Sequence, residues 1–325
     1  MKRIIALLFT ISLFCALLVS CKNKEPEITE VRIAYFPNIT HAQALVMKSE
    51  GLFEEKLSSD LDVKWIPFNA GPSEIEALFA GEIDIGYIGP VPAINGFVQS
   101  NGDLHIIAGA TNGGSVLVAR ADVEVNTVAD LDGKVIAVPQ FGNTQHLNLL
   151  GLLTAYNLKP KANGGTVEVV QASNADIANL MERRNIDAAF VPEPWGSILE
   201  INYGAKLVLD YDEVDVNGIP STALVIVRKD FSDSYPDIVK KFIETHKEVT
   251  LYIENNDVTA IINTQIYEVT GNEIAPEILE SAFARLVITY EIPKASIMDF
   301  AAISQQEQFI FRLPDDNIFN DKYID

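Results

Sequence analysis

Four short stretches of this chain set hydroxyl, amide and aromatic side chains immediately ahead of helical runs. They are Phe36-Pro37-Asn38-Ile39-Thr40-His41, Tyr87-Ile88-Gly89-Pro90-Val91-Pro92, Gln140-Phe141-Gly142-Asn143-Thr144-Gln145 and Val191-Pro192-Glu193-Pro194-Trp195. The chemistry these residues offer is reversible capture of a polar solute. The first N–H groups of each following helix have no partner inside the helix, so they favour partial negative charge in whatever cleft they face. In a doubly wound sheet such loops lie at the carboxyl edges of the strands, where these folds place ligands.

Motifs for turnover are missing from the sequence. It has no Walker A loop, no GxGxxG after a strand, no HExxH, no GxSxG and no paired CxxC. Of the four histidines, His105 sits in an apolar strand and reads as a satisfied structural residue, while His246 lies on a charged helix and reads as solvated. His41 and His146 occupy loop-to-helix junctions, where a pocket can include them. Convergence of His41, His146 and Glu193 on a metal would rest on loop spacing alone, so the expectation is no metal and no cofactor.

The elements that must carry these loops follow from periodicity. From 31 to about 195, short β-rich runs alternate with helical stretches, the pattern of an α/β fold with mainly parallel strands. Strands are expected over 31–35, 61–68, 83–88, 105–110 and 115–120, and in a second unit over 134–138, 166–170 and 187–191, followed by 207–209 and 222–227. Thr40 is the expected cap of a helix ending at Gly51, and Ser73 with Glu76 forms an expected capping box. From 234 onward nearly everything has helical period. The chain therefore goes out and back: lobe 1 over 31–118 plus 222–325, an inserted lobe 2 over 119–221, and two crossings near Val118 and Thr222 that serve as a hinge.

The N-terminus fixes the compartment. Lys2 and Arg3 precede an apolar run over 4–18, about fifteen residues, which is short of the roughly twenty that a spanning helix needs. Leu18-Val19-Ser20-Cys21 then matches a bacterial lipobox, so residues 1–20 read as a lipoprotein signal peptide, Cys21 as the lipidated residue and 21–30 as a polar tether. Cys15 leaves with the signal, and the mature chain can form no internal disulfide. Taking Lys2 and Arg3 from the 24 basic residues leaves 22 against 45 acidic ones, a formal net charge of −23. That balance disfavours nucleic acid and gives the body no attraction to an anionic bilayer, so membrane contact is expected through the lipid alone.

The segments 36–44, 71–81 with 86–96, Gly113-Gly114, 139–145 and 191–195 resemble the nitrate/sulfonate/taurine-type substrate-binding proteins of ABC importers. That family also takes in pyrimidine-precursor and bicarbonate binders. The block 71–96 (GPSEIEALFAGEIDIGYIGPVPAING) is the most specific part. The resemblance implies a type II periplasmic-binding fold of two α/β lobes, a small ligand held between them, and a membrane permease with its ATPase as partners, the binding protein itself acting as a monomer. By position the family's ligand contacts fall on Asn38, Thr40 and His41, on Gly89 and Pro90, on Gly114 and Ser115, on Gln140, Asn143 and Thr144, and on Glu193 and Trp195. Thr40, Ser115, Asn143 and Thr144 are the expected donors. Tyr35, Phe36, Tyr87, Phe141 and Trp195 are the expected apolar walls, with a core role equally open for Tyr35 and Tyr87.

No Arg or Lys falls in these loops, whereas nitrate- and bicarbonate-type members are expected to use a cation or metal. Neutral donors at helix starts suit a sulfonate or phosphonate head group, and Glu193 would repel that group or accept from an amine. Aromatic walls leave open a flat heterocycle such as a pyrimidine or riboflavin precursor. A fold-related enzyme is the alternative class, recognised by a cysteine-rich motif that the mature chain lacks; a sensor or adhesion lipoprotein is another.

Overall fold

The computed structural model describes residues 28–215 and 217–324, so the signal segment 1–20, Cys21 and tether residues 22–27 lie outside the described residues. Among the described residues there are eleven strands: β1 Glu30–Tyr35, β2 Asp62–Pro67, β3 Ile85–Ile88, β4 Leu104–Gly113, β5 Ser115–Ala119, β6 Val135–Val138, β7 Glu168–Gln171, β8 Ala188–Pro192, β9 Lys206–Leu209, β10 Ser221–Arg228 and β11 Leu286–Ile288. They form a six-stranded sheet in the order β11-β4-β10-β3-β1-β2 and a five-stranded sheet in the order β7-β6-β8-β5-β9. In each sheet three strands run parallel, β2-β1-β3 and β7-β6-β8, and the remaining pairings are antiparallel. The apolar runs that read as strands are those buried on both faces: all four residues of β3, and Ser221 to Val227 of β10, are buried.

The chain changes sheet at Gly113 and Gly114, both in the left-handed region at φ 72° and 70°. All of β5 lies in the second sheet, with Val118 paired to Ala189, so the outward crossing falls at these glycines and not near Val118. Packing places it there: a Cβ on Gly113 would meet Tyr211 and the Arg285 carbonyl, and one on Gly114 would meet Leu286. The return strand is tied beside it, since the Gly113 N–H donates to the Pro220 carbonyl at 2.8 Å and the Thr222 hydroxyl donates to the Gly113 carbonyl.

Several local expectations are corrected. Asn38, not Thr40, caps the first turn, its Oδ1 accepting from the Thr40 N–H at 3.0 Å. Ser73 lies inside the helix Gly71–Phe79 and donates to the Ala70 carbonyl; Pro72 fits a first helical turn, so the helix begins before the expected box. His246 is fully buried, with Nε2 donating to the Gly109 carbonyl at 2.8 Å and Nδ1 accepting from the Tyr87 hydroxyl at 2.8 Å. His105 is half-buried, and its Nδ1 has no partner among the described residues. The tail is not all helix, because Leu286–Ile288 joins β4 at the sheet edge.

A further contact joins the lobes without a chain crossing. Leu147 and Leu150, on the inner flank of the lobe 2 helix Thr144–Ala155, share one apolar cluster with Ile297, Phe300 and Ala301 of the lobe 1 helix Lys294–Gln306. Phe309 stands edge-on to His146 with ring centroids 5.7 Å apart.

Candidate ligand cleft

Between the two sheets lies a cleft of about 500 Å³. A wider surface groove of about 680 Å³ runs along the helix Pro236–Asn255 among exposed lysines and glutamates, away from the strand ends. The cleft is lined by the loops that follow strands.

After β1, Asn38 holds Thr40 twice: its Oδ1 accepts from the Thr40 N–H and from the Thr40 hydroxyl at 3.1 Å. His41 Nδ1 accepts from the Phe36 N–H at 3.1 Å, which puts the imidazole proton on Nε2. Its ring stacks on Phe36 at 4.5 Å, and burial lowers its pKa to about 3, so it is neutral.

Lobe 2 repeats this device after β6. Asn143 caps the helix Thr144–Ala155, with Oδ1 accepting from the His146 N–H at 2.8 Å. His146 Nδ1 accepts from the Gly142 N–H at 3.1 Å, its ring lies 4.9 Å from Phe141, and burial lowers its pKa to about 4. Both loops thus carry the pattern Phe-x-Asn-x-x-His, FPNITH and FGNTQH. Asn143 Nδ2 continues to Gln145 Oε1 at 3.2 Å, and Gln145 Nε2 to Ser115 Oγ at 3.0 Å. The Thr144 and Gln145 N–H groups stand in the first turn of this helix, where no intrahelical carbonyl reaches them.

The lobes meet closely where Gly89 faces Thr144, since a Cβ on Gly89 would overlap Thr144 Oγ1. That hydroxyl is buried and has no hydrogen-bond partner among the described residues. The following helix, Pro90–Ser100, has proline at its first and third positions and so offers few N–H groups.

Eight of the sequence candidates line the cleft: Asn38, Thr40, His41, Gly89, Gln140, Asn143, Thr144 and Trp195. Four do not. Pro90 is buried in the first turn of its helix, Gly114 packs on Leu286 and Thr40, and Ser115 stands behind Gln145 as its acceptor. Glu193 is fully buried and faces the other way, accepting from the Ser197 N–H at 2.9 Å and from Arg285 at 2.7 Å. Arg285 also reaches Glu200 at 2.6 Å and Asp210 at 3.0 Å. Burial raises the Glu193 pKa while Arg285 and Ser197 hold it down. Burial works against the charge of Arg285, but its bonds to Glu200 and Glu193 outweigh that and raise its pKa. Glu193 therefore does not converge with His41 and His146, and no group of three metal-ligating side chains is present among the described residues. Tyr35 and Tyr87 belong to the core, and Phe141 is half exposed at the rim.

Residues missed by the sequence reading include Phe68, Asn69, Gln171, Ser173 and Asn174, with Thr270 and Asn272 arriving from the distant tail. Strand ends at Pro67 and Gln171 were the available signal for the first five. No formally charged side chain lines the cleft among the described residues.

Two α/β lobes, an antiparallel pair crossing between them and a cleft at the strand ends define the type II periplasmic-binding-protein fold. The chain belongs to the NMT1-like family, whose model matches residues 24–266. It is 30% identical over 236 residues to the taurine-binding periplasmic protein of Escherichia coli K12, covering 72% of this chain and 70% of that protein. It is 25% identical over 274 residues to a putative aliphatic sulfonates-binding protein of Bacillus subtilis 168, covering 83% and 79%. Among solved structures, the alkanesulfonate-binding protein SsuA of Xanthomonas axonopodis pv. citri bound to MOPS aligns with TM-score 0.72 at 21% identity, over 89% of this chain and 96% of that one. The nitrate-binding protein NrtA of Synechocystis PCC 6803 aligns with TM-score 0.69 at 15% identity, over 88% and 83%. These two alignments establish the fold.

Proposed function

We propose that this protein is the extracytoplasmic solute receptor of an ABC-type importer, capturing an organosulfonate in the cleft between its lobes and releasing it unaltered to a permease and its ATPase. The observation that carries this reading is the neutral anion seat at the start of the Thr144–Ala155 helix: the unpaired Thr144 hydroxyl, in the first turn of that helix, beside a cleft lined without formal charge. A sulfonate spreads one charge over three oxygens, which suits several neutral donors better than one point cation. The relatives named for taurine and aliphatic sulfonates favour this ligand over a flat heterocycle.

Capture works by closure. Gly89 from lobe 1 presses on Thr144 from lobe 2 only when the lobes approach, and a ligand touching both faces stabilises that arrangement. A ligand of six to eight heavy atoms at up to about 1.5 kcal/mol each reaches the roughly 8 kcal/mol of micromolar binding with no chemistry. The protein acts as a monomer held to the membrane by lipid on Cys21; no described helix is long and apolar enough to cross a bilayer.

Calorimetry of the mature protein against short alkanesulfonates, with nitrate and matched carboxylates beside them, tests the reading. Micromolar binding confined to the sulfonates is expected, with the compound recovered intact and affinity lowered in Thr144→Val. Absence of sulfonate binding at millimolar concentration, or recovery of an altered compound, overturns it.

A further inference from the structure

Arg285 belongs to lobe 1 by its backbone and to lobe 2 by its side chain. It immediately precedes β11, which joins the six-stranded sheet, and its carbonyl stands beside the crossing residue Gly113, where a Cβ would come within 2.8 Å of it. The guanidinium then reaches across to the inserted lobe. Its Nη1 donates to Glu193 Oε1 at 2.7 Å and to Glu200 Oε1 at 2.6 Å, and its Nε pairs with Asp210 Oδ1 at 3.0 Å. A residue so close to the crossing moves least when the lobes rotate, so this grip persists whether the cleft is open or shut.

Glu193 carries the grip to the cleft wall. The helix Trp195–Tyr203 starts behind Pro194, which offers no side-chain acceptor to the first N–H groups. Glu193 supplies one instead: its Oε2 accepts from the Ser197 N–H at 2.9 Å and its Oε1 from the Ser197 hydroxyl at 3.1 Å. Those bonds and the Arg285 contact bracket Trp195, the first residue of the helix, which lines the cleft. The turn is packed closely on β5, since a Cβ on Gly196 would overlap Val116. Without Arg285, Glu193 would be a buried carboxylate with no cation against it, driven to take up a proton or to turn toward water. Either change loosens the turn that holds Trp195. An aromatic wall fixed before the solute arrives removes an ordering cost from binding.

We propose that Arg285 is a positioning residue for capture: from lobe 1, through Glu193, it presets Trp195 as a fixed wall of the cleft in lobe 2. The proposal deepens the solute-receptor reading and rests on it. Arg285 thereby acts on affinity without lining the cleft, which an ion pair that only stabilises the fold would not do.

The sequence has two tryptophans, Trp65 and Trp195, so Trp65→Phe leaves Trp195 as the sole indole reporter in the full mature chain. Three variants are compared in that background. Arg285→Lys keeps the charge; Arg285→Ala combined with Glu193→Gln removes the buried carboxylate along with its partner; Arg32→Ala breaks an ion pair with the buried Asp84 outside the cleft. Both Arg285 variants are expected to bind ethanesulfonate about tenfold more weakly in calorimetry. Their Trp195 emission should move to longer wavelength and be quenched more readily by acrylamide. The double variant should behave so although its melting temperature largely recovers, while Arg32→Ala should lower the melting temperature and leave both readouts unchanged. Parental affinity or parental emission in the double variant, or an equal loss of affinity in Arg32→Ala, overturns the proposal. If ethanesulfonate fails to bind the unaltered chain, the sulfonate reading falls, and the emission and quenching of Trp195 alone decide whether Arg285 sets the wall.

Discussion

Glu74 should make the protein less stable as pH rises, and replacing it with Gln should remove that loss. Its carboxyl group is fully buried in the helix Gly71–Phe79, and neither oxygen has a partner among the described residues. A Cβ on Gly86 would overlap its Oε1, so the site is tight. Burial raises its pKa well above the ordinary 4.5. The folded state then keeps a proton that the unfolded chain releases above about pH 4.5, and a raised acid pKa gives stability that is fully present below the unfolded value and lost as pH climbs toward the folded one. The loss is about 1.4 kcal/mol per pH unit while the folded carboxyl stays protonated. Gln has nearly the same shape and does not titrate. Urea unfolding followed by circular dichroism at pH 5.5, 6.5 and 7.5 should show Glu74→Gln gaining on the parent as the pH rises, by no more than about 1.4 kcal/mol per pH unit. A difference that stays constant with pH, or a variant less stable than the parent at pH 7.5, refutes the reasoning.

Removing Arg285 should be costly although it lies outside the cleft. Arg285→Ala strands the buried Glu193 and should destabilise the fold by about 3–5 kcal/mol in urea titrations, with much of the loss recovered when Glu193→Gln is added. Gly89→Ala should weaken ligand binding at least about tenfold in calorimetry, because the new methyl meets Thr144 where the lobes close. The melting temperature of the ligand-free protein should change little. Ligand affinity should vary less than about twofold between pH 5.5 and 8, since His41, with its pKa lowered to about 3, remains neutral throughout; a midpoint near pH 6.5 in that profile would assign it a charge that the structure denies.

What could be read from the sequence was what is local. Strand-loop-helix alternation and the glycines and prolines at junctions located the two α/β lobes, because those signals act over a few residues. The loop Gly142-Asn143-Thr144 ahead of a helical run was legible on the same ground, though the capping role of Asn143 was not. Glu193 was not, because Arg285, which turns it away from the cleft, stands 92 residues further on. His246 looked solvated on a charged helix because its partners, Tyr87 and Gly109, come from strands far upstream. The doubled Phe-x-Asn-x-x-His pattern was present in the letters, yet its meaning needed the matching bonds from Phe36 and Gly142 to the two histidines. Asn174, at a helix start, and Asn272, in a polar loop of the tail, were missed because only the tertiary fold brings them to the cleft.

The apolar seam between the helices Thr144–Ala155 and Lys294–Gln306 sets a timetable for the newborn chain. Lobe 2 can assemble its own sheet as soon as it emerges, but the apolar cluster that takes in Leu147 and Leu150 lacks Ile297, Phe300 and Ala301 until the end of the polypeptide arrives. For that interval the half-finished molecule shows a greasy flank, the kind of surface that invites clumping. Completion of the tail is thus both the last act of synthesis and the one that makes the earlier lobe presentable to water.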